Sequence, residues 1–128
     1  MRISIFGSGY VGLVQAAVFS EVGHQITCMD TDPARIERIQ GGDLPFFEPR
    51  LNELVQAGIA QNTLCFTDDT AEAFEASDYL FICVGTPAAT EGSADLQYVM
   101  SVAEGIAVGL VIYTELKLFR APDFEDIK

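Results

Sequence analysis

At the start of the chain an apolar run, residues 2–6 (RISIF), feeds directly into Gly7-Ser8-Gly9-Tyr10-Val11-Gly12 and then into a segment rich in Ala, Val and Leu. That order is strand, glycine turn, helix, and it commits the chain to an α/β unit. Gly7 permits a tight turn, Gly9 lets the backbone approach a pyrophosphate, and Gly12 lets helix and strand pack closely. The free N–H groups at the helix start then face an anion. With eleven glycines in the chain, a chance match to this spacing is easy. Context raises its weight. A second apolar run, residues 25–29 (QITCM), ends in Asp30, about 20 residues after the glycines, where a dinucleotide fold places the acid that binds a ribose.

The length of 128 residues suits one domain with one core. No uninterrupted apolar stretch reaches the roughly 20 residues that span a bilayer, and no cleavage-site pattern follows the first run, so a soluble cytoplasmic protein without a membrane partner is expected. The net charge is −12 and the seven basic residues are scattered, which argues against nucleic acid. Cys28, Cys65 and Cys83 each lie in an apolar, strand-like run. An odd count without metal-ligand spacing points to reduced structural thiols, and to neither a disulfide framework nor a metal site.

Further along, residues 10–22 read as a helix closed by Gly23, with the single histidine, His24, in the connection that follows as a solvated residue. After Asp30, Asp32-Pro33 opens a second helix as N-cap and first helical residue, burying Ile36 and Ile39 and ending at Gly41-Gly42. Residues 44–49 (LPFFEP) form a loop whose two phenylalanines are expected mainly to pack, and Pro49 starts a helix running to about Ala57, stopped by Gly58. Residues 62–67 give a third strand, Asp68 or Asp69 starts a short helix, and residues 79–84 (YLFICV) read as a central parallel strand ending in Gly85-Thr86-Pro87. That turn is expected to face the same crevice as the first glycine turn. A helix over residues 95–107, a fifth strand over residues 110–114 (LVIYT) and a helical turn over residues 122–128 complete the reading. The fold class is α/β, a Rossmann-like doubly wound parallel sheet of strand order 3-2-1-4-5, because a right-handed crossover through the helix leaves the last strand beside the fourth.

The motifs GSGYVGL (7–13), MDTDPARI (29–36), LPFFEPRL (44–51), ICVGTP (82–87) and SADL (93–96) together make the chain similar to the nucleotide-sugar dehydrogenases that oxidise UDP-glucose or GDP-mannose. Residues 1–107 resemble the NAD-binding domain of that family. The resemblance implies NAD as cofactor, with Tyr10 and Val11 at the pyrophosphate beside Gly7, Gly9 and Gly12. It also implies Asp30 and Arg35 at the adenosine ribose, and Val84, Gly85, Thr86 and Pro87 near the inner half of the cofactor. From the residues themselves, Asp30 accepts hydrogen bonds from ribose hydroxyls and would repel a 2′-phosphate, which favours NAD over NADP. Arg35, a cation in the first turn of a helix, is either held by a ligand or Asp30, or extends into water.

Beyond Ala107 the order of the family is lost. The segments that carry its catalytic lysine, asparagine and nucleophilic cysteine have no counterpart, and none of Cys28, Cys65 and Cys83 matches that cysteine. Residues 109–128 resemble instead a segment late in the family's nucleotide-sugar-binding domain, as if an internal deletion had joined the two near residues 107–109. Residues 108–128 are thus expected as a graft completing the sheet, with a symmetric homodimer through its outer edge. Two functional readings stay open. One is an NAD-binding module of a UDP-glucose 6-dehydrogenase-like enzyme, itself catalytically incompetent; the other is a fold-only or interaction protein with weak or lost NAD binding. A small enzyme with a different site has little support, since no histidine, cysteine or lysine is expected at a strand end beside the glycine turn.

Overall fold

Strand β1 (Arg2–Phe6) is buried on both faces from Ile3 onward, and its hydrophobic run is what places it inside the sheet. The computed structural model describes residues 1–75 and 77–120, with side chains described as far as residue 108. After the glycine turn come α1 (Tyr10–Glu21), β2 (Gln25–Met29), α2 (Pro33–Gln40), α3 (Leu51–Ala60), β3 (Leu64–Thr67), α4 (Thr70–Glu75), β4 (Tyr79–Ile82) and α5 (Gln97–Arg120). The strands form one parallel sheet of order β3-β2-β1-β4. Ile5 sits opposite both Cys28 and Phe81 in the register, so the centre of the sheet is apolar across three strands.

Two clusters fill the space above and below the sheet. On one side Ile3 and Ile5 pack with Leu13 of α1, Ile39 of α2 and Val55 of α3. On the other, Phe6 and Met29 pack with Ala73 of α4 and with Val102 and Ile106 of α5. Full burial of a side chain such as Ile5 or Leu13 contributes about 1.5–3 kcal/mol each. Ser4, the polar residue inside β1, donates its hydroxyl to the Ala73 carbonyl at 2.5 Å, so its burial leaves nothing unsatisfied.

The helix ends follow local chemistry. Gly23 takes φ +96 just after α1, and the Gly23 and His24 N–H groups return to the Ser20 and Phe19 carbonyls. Asp32 caps α2 by accepting from the Ala34 and Arg35 N–H groups, with Pro33 in the first turn. Helix α3 departs from expectation: it begins at Leu51 and passes through Gly58 to Ala60. The glycine is there for proximity. A Cβ at Gly58 would lie 2.6 Å from the Ser20 hydroxyl and 2.9 Å from the Leu64 Cβ, so it marks where α3 crosses α1 and the start of β3.

The fifth strand is not present. Residues 110–114 continue α5, which runs on to Arg120. An apolar run of five residues fits strand or buried helix equally well by periodicity. Only Val108 and Gly109 lie between Ala107 and Leu110, with no proline or capping residue, and the strong helix formers Glu115, Leu116, Lys117 and Leu118 follow. A single interior glycine costs about 1 kcal/mol, too little to end such a helix. Among the described residues the sheet therefore stops at β4, an edge strand whose Tyr79, Phe81 and Ile82 are exposed, where a central strand was expected. The expected dimer through the fifth strand's edge loses its basis with that strand. The helical turn expected over residues 122–128 lies outside the described residues. Among the described residues no helix is long and apolar enough to cross a membrane.

Candidate dinucleotide-binding site

The site grows from the ends of β1, β2 and β4. Gly7 leaves β1 at φ +105, a conformation that L side chains rarely adopt, and its N–H donates to the Met29 carbonyl at 2.8 Å. The turn is thereby tied to the end of β2. Gly9 then stands at the head of α1 without any side-chain cap. The first-turn amides of Tyr10, Val11 and Gly12 thus have no intrahelical acceptor and carry the positive end of the helix dipole. A Cβ at Gly9 would meet nothing within 4 Å, so the backbone borders open space there. Gly12 is the opposite case. A Cβ on it would overlap the Gly7 carbonyl oxygen and press the Cys83 Cβ at 3.2 Å.

Asp30 follows β2, with only 9% of its surface exposed. Its Oδ2 accepts from the Ser8 hydroxyl at 2.5 Å and from the Ser8 N–H at 2.9 Å, and its Oδ1 accepts from the Asp32 N–H at 3.0 Å. Arg35 reaches back from α2 to within 3.6 Å of Oδ2, which decides between the two readings of this cation: it pairs with Asp30. Burial pushes the Asp30 carboxyl up, but the Ser8 hydroxyl, the Ser8 and Asp32 N–H groups and the Arg35 guanidinium together hold it below the ordinary aspartate value.

A lowered folded-state value stabilises the fold above the unfolded aspartate pKa of about 3.9, and that contribution is lost as pH falls through the folded value. Asp30→Asn is therefore expected to lower the urea midpoint at pH 7, with the gap from wild type closing below about pH 4. Asp43 and Asp78, held low by Arg38 and Arg2, titrate in the same acid region and are unchanged by the substitution. The difference between the two proteins isolates Asp30. A gap constant from pH 7 to pH 3 would contradict the assignment.

These groups border a crevice of about 510 Å³. Gly7, Gly9, Asp30, Arg35, Val84 and Gly85 line it. Tyr10 and Val11 are exposed at the head of α1, and Gly12 is buried beneath the turn. Thr86 and Pro87 are exposed in the following loop and do not line the crevice. The sequence reading did not anticipate the part played by α5, whose Tyr98, Ser101, Val102 and Gly105 line the same crevice as Asp30 and Gly85. Its trace in the sequence is Gly105, where a Cβ would come within 3.4 Å of the Thr70 methyl. Nor did that reading assign anything to Ser8.

Cys83 corrects one expectation. Because β4 ends at Ile82 and not at residue 84, a cysteine does lie at a strand end beside the glycine turn, and it lines the crevice. Burial pushes its thiol up, and the Cys28 thiol is driven further up for the same reason, so neither is primed as a thiolate nucleophile. All three thiols are free, with Cys65 exposed. Among the described residues no group of three or more His, Cys, Asp or Glu side chains is placed to hold a metal ion. The two loop phenylalanines divide: Phe46 packs on the Tyr10 ring with centroids 4.8 Å apart, while Phe47 is 89% exposed.

The residues present suit a dinucleotide. They supply an uncapped helix start, open space at Gly9 for a pyrophosphate, and a buried, ionised carboxylate beside the crevice for a ribose.

Comparison with known proteins agrees in both sequence and fold. The model of the UDP-glucose/GDP-mannose dehydrogenase family, NAD binding domain, matches residues 1–114. A UDP-glucose 6-dehydrogenase of Rhizobium meliloti (strain 1021) is 44% identical over 115 residues, 89% of this chain and 26% of that protein. A GDP-mannose 6-dehydrogenase of Pseudomonas syringae pv. syringae is 46% identical over 106 residues, 83% of this chain and 24% of that protein. Among solved structures, a ternary complex of GDP-mannose dehydrogenase from Pseudomonas aeruginosa superposes with a TM-score of 0.83 at 42% identity, covering 86% of this chain and 25% of that one. A UDP-glucose dehydrogenase from Pyrobaculum islandicum gives 0.80 at 39% identity, covering 85% and 26%. The chain thus spans about a quarter of the length of the relatives it matches.

Proposed function

The chain belongs to the UDP-glucose/GDP-mannose dehydrogenase family through its NAD-binding domain, and on that premise we propose that it is an NAD-binding module that is by itself catalytically incompetent. The observation that carries this reading is the pairing of open backbone at Gly9 with a buried carboxylate at Asp30, held by hydrogen bonds from Ser8 and Asp32. In the proposed arrangement the first-turn amides of α1, with Tyr10 and Val11, hold the pyrophosphate. Asp30 and Arg35 hold the adenosine ribose, and residues 84–87 lie toward the inner half of the cofactor. The hydride acceptor would be the nicotinamide ring; the chain's own part is to bind and orient it. The sugar-binding and nucleophilic groups that oxidation of a nucleotide-sugar alcohol requires lie, on this reading, outside residues 1–107. Residues 108–128 derive from a later segment of the family. A cytoplasmic location belongs to the same proposal.

Calorimetric titration tests it. The chain is expected to bind one NAD per protein and to bind NADP more weakly, because the ionised Asp30 meets the 2′-phosphate as a like charge. Asp30→Ala is expected to cost about 1 to 3 kcal/mol of NAD binding, or roughly five- to 150-fold in Kd. Equal or tighter NADP binding by the wild type would overturn the cofactor assignment. Absence of any binding heat at millimolar NAD would favour the fold-only reading.

A further inference from the structure

Ser8 occupies the free position between the first two glycines of the turn, where the motif specifies no side chain. It is nevertheless fully buried, at 0% exposure, and the crevice is lined by its neighbours Gly7 and Gly9 but not by Ser8. Its side chain therefore reaches a ligand only through what it holds, and what it holds is Asp30. Resting on the NAD-binding reading above, we propose that Ser8 is a positioning residue that locks the Asp30 carboxylate so that Oδ1 is the oxygen presented to the adenosine ribose.

A carboxylate offers about four lone-pair sites, two on each oxygen. Oδ2 takes the Ser8 hydroxyl at 2.5 Å and the Ser8 N–H at 2.9 Å, with Arg35 alongside at 3.6 Å. Its capacity is filled. Oδ1 takes only the Asp32 N–H at 3.0 Å and keeps one site for a ribose hydroxyl. Gripping one oxygen twice from a single residue also stops rotation about the Cβ–Cγ bond. The carboxylate need not be ordered when the ligand arrives, which removes part of the entropic cost of binding. The same grip bears on cofactor choice. A carboxylate pinned at Oδ2 cannot swing aside for a 2′-phosphate, whereas one released from Ser8 can turn fully onto Arg35 and leave room.

The experiment compares wild type and Ser8→Ala in their affinities for NAD, NADP and 2′,3′-dideoxyadenosine 5′-diphosphate, a probe that keeps the base and diphosphate but has no ribose hydroxyls. Ser8→Ala keeps the backbone N–H, so a partial effect is expected: NAD weakens roughly three- to tenfold, as for loss of one hydrogen bond. The preference for NAD over NADP should narrow, and affinity for the dideoxy probe should stay unchanged. Ser8→Gly, compatible with a glycine turn, is expected to reproduce this and serves if the alanine variant folds poorly. A merely structural role would weaken NAD and the dideoxy probe alike, and that outcome, or no change in either, would overturn the proposal. A wild type that binds no NAD would overturn the NAD-binding reading and this proposal together. NAD binding with parallel losses would overturn this proposal alone.

Discussion

Gly12→Ala is expected to lose about 3 kcal/mol of stability or more, lowering Tm by roughly 10 °C in a domain of this size. The cause is contact between backbone atoms. The new methyl would overlap the Gly7 carbonyl oxygen and crowd the Cys83 Cβ at 3.2 Å, and neither is the tip of a flexible side chain. Relief requires moving the β1–α1 turn, and that turn is tied to β2 through the Gly7 N–H and to Asp30 through Ser8. Gly9→Ala supplies the contrast, since its methyl meets nothing within 4 Å. It should melt within a few degrees of wild type while binding NAD less well, because the methyl fills the space proposed for the pyrophosphate. Thermal melts followed by circular dichroism at 222 nm read both variants. A Gly12→Ala protein as stable as wild type would contradict the packing assigned to this glycine.

Purified chain supplied with NAD and UDP-glucose, or with NAD and GDP-mannose, is expected to form no NADH at a steady rate. Loss of a nucleophile and its partners typically lowers turnover roughly a millionfold. The described thiols do not replace it: Cys28 is fully buried, both Cys28 and Cys83 are pushed away from the thiolate form, and Cys65 of β3 does not line the crevice. Absorbance at 340 nm over hours is the readout. Steady NADH formation that survives further purification and is abolished by Cys83→Ser would place catalysis in this crevice and refute the proposed incompetence.

Where local chemistry decides alone, the sequence reading and the structure agree. Asp32-Pro33 caps α2 as its residue types require, Ile36 and Ile39 point inward at helical spacing, and Asp30 follows β2 beside the glycine turn. The misreadings arise where tertiary context chooses between two locally acceptable states. Residues 110–114 are apolar enough for either element, and continuity with the helix before them prevailed. Gly58 looked like a helix stop, yet it is a crossing point against Ser20 and Leu64, and Ser20 is more distant in sequence than any local pattern reaches. Residues 83 and 84 continue the apolar run beyond the end of β4 at Ile82, with the Cys83 N–H still donating to the Phe6 carbonyl at 2.7 Å, and both line the crevice. The α5 wall and the Ser8 grip on Asp30 are likewise long-range facts. Only the β1–β2 register sets Ser8 against a carboxylate 22 residues away.

NAD is proposed to bind in the crevice lined by the glycine turn, Asp30 and α5. This is tested most directly by titrating isotopically labelled chain with NAD and following backbone amide resonances by nuclear magnetic resonance. Saturable shifts are expected at Gly7, Gly9, Tyr10 and Val11, at Asp30 to Asp32, and at Gly85, with Val55 and Leu64 of the other core cluster unmoved. Shifts centred on residues 44–53 and absent from the glycine turn, or none at millimolar NAD, would contradict this proposal.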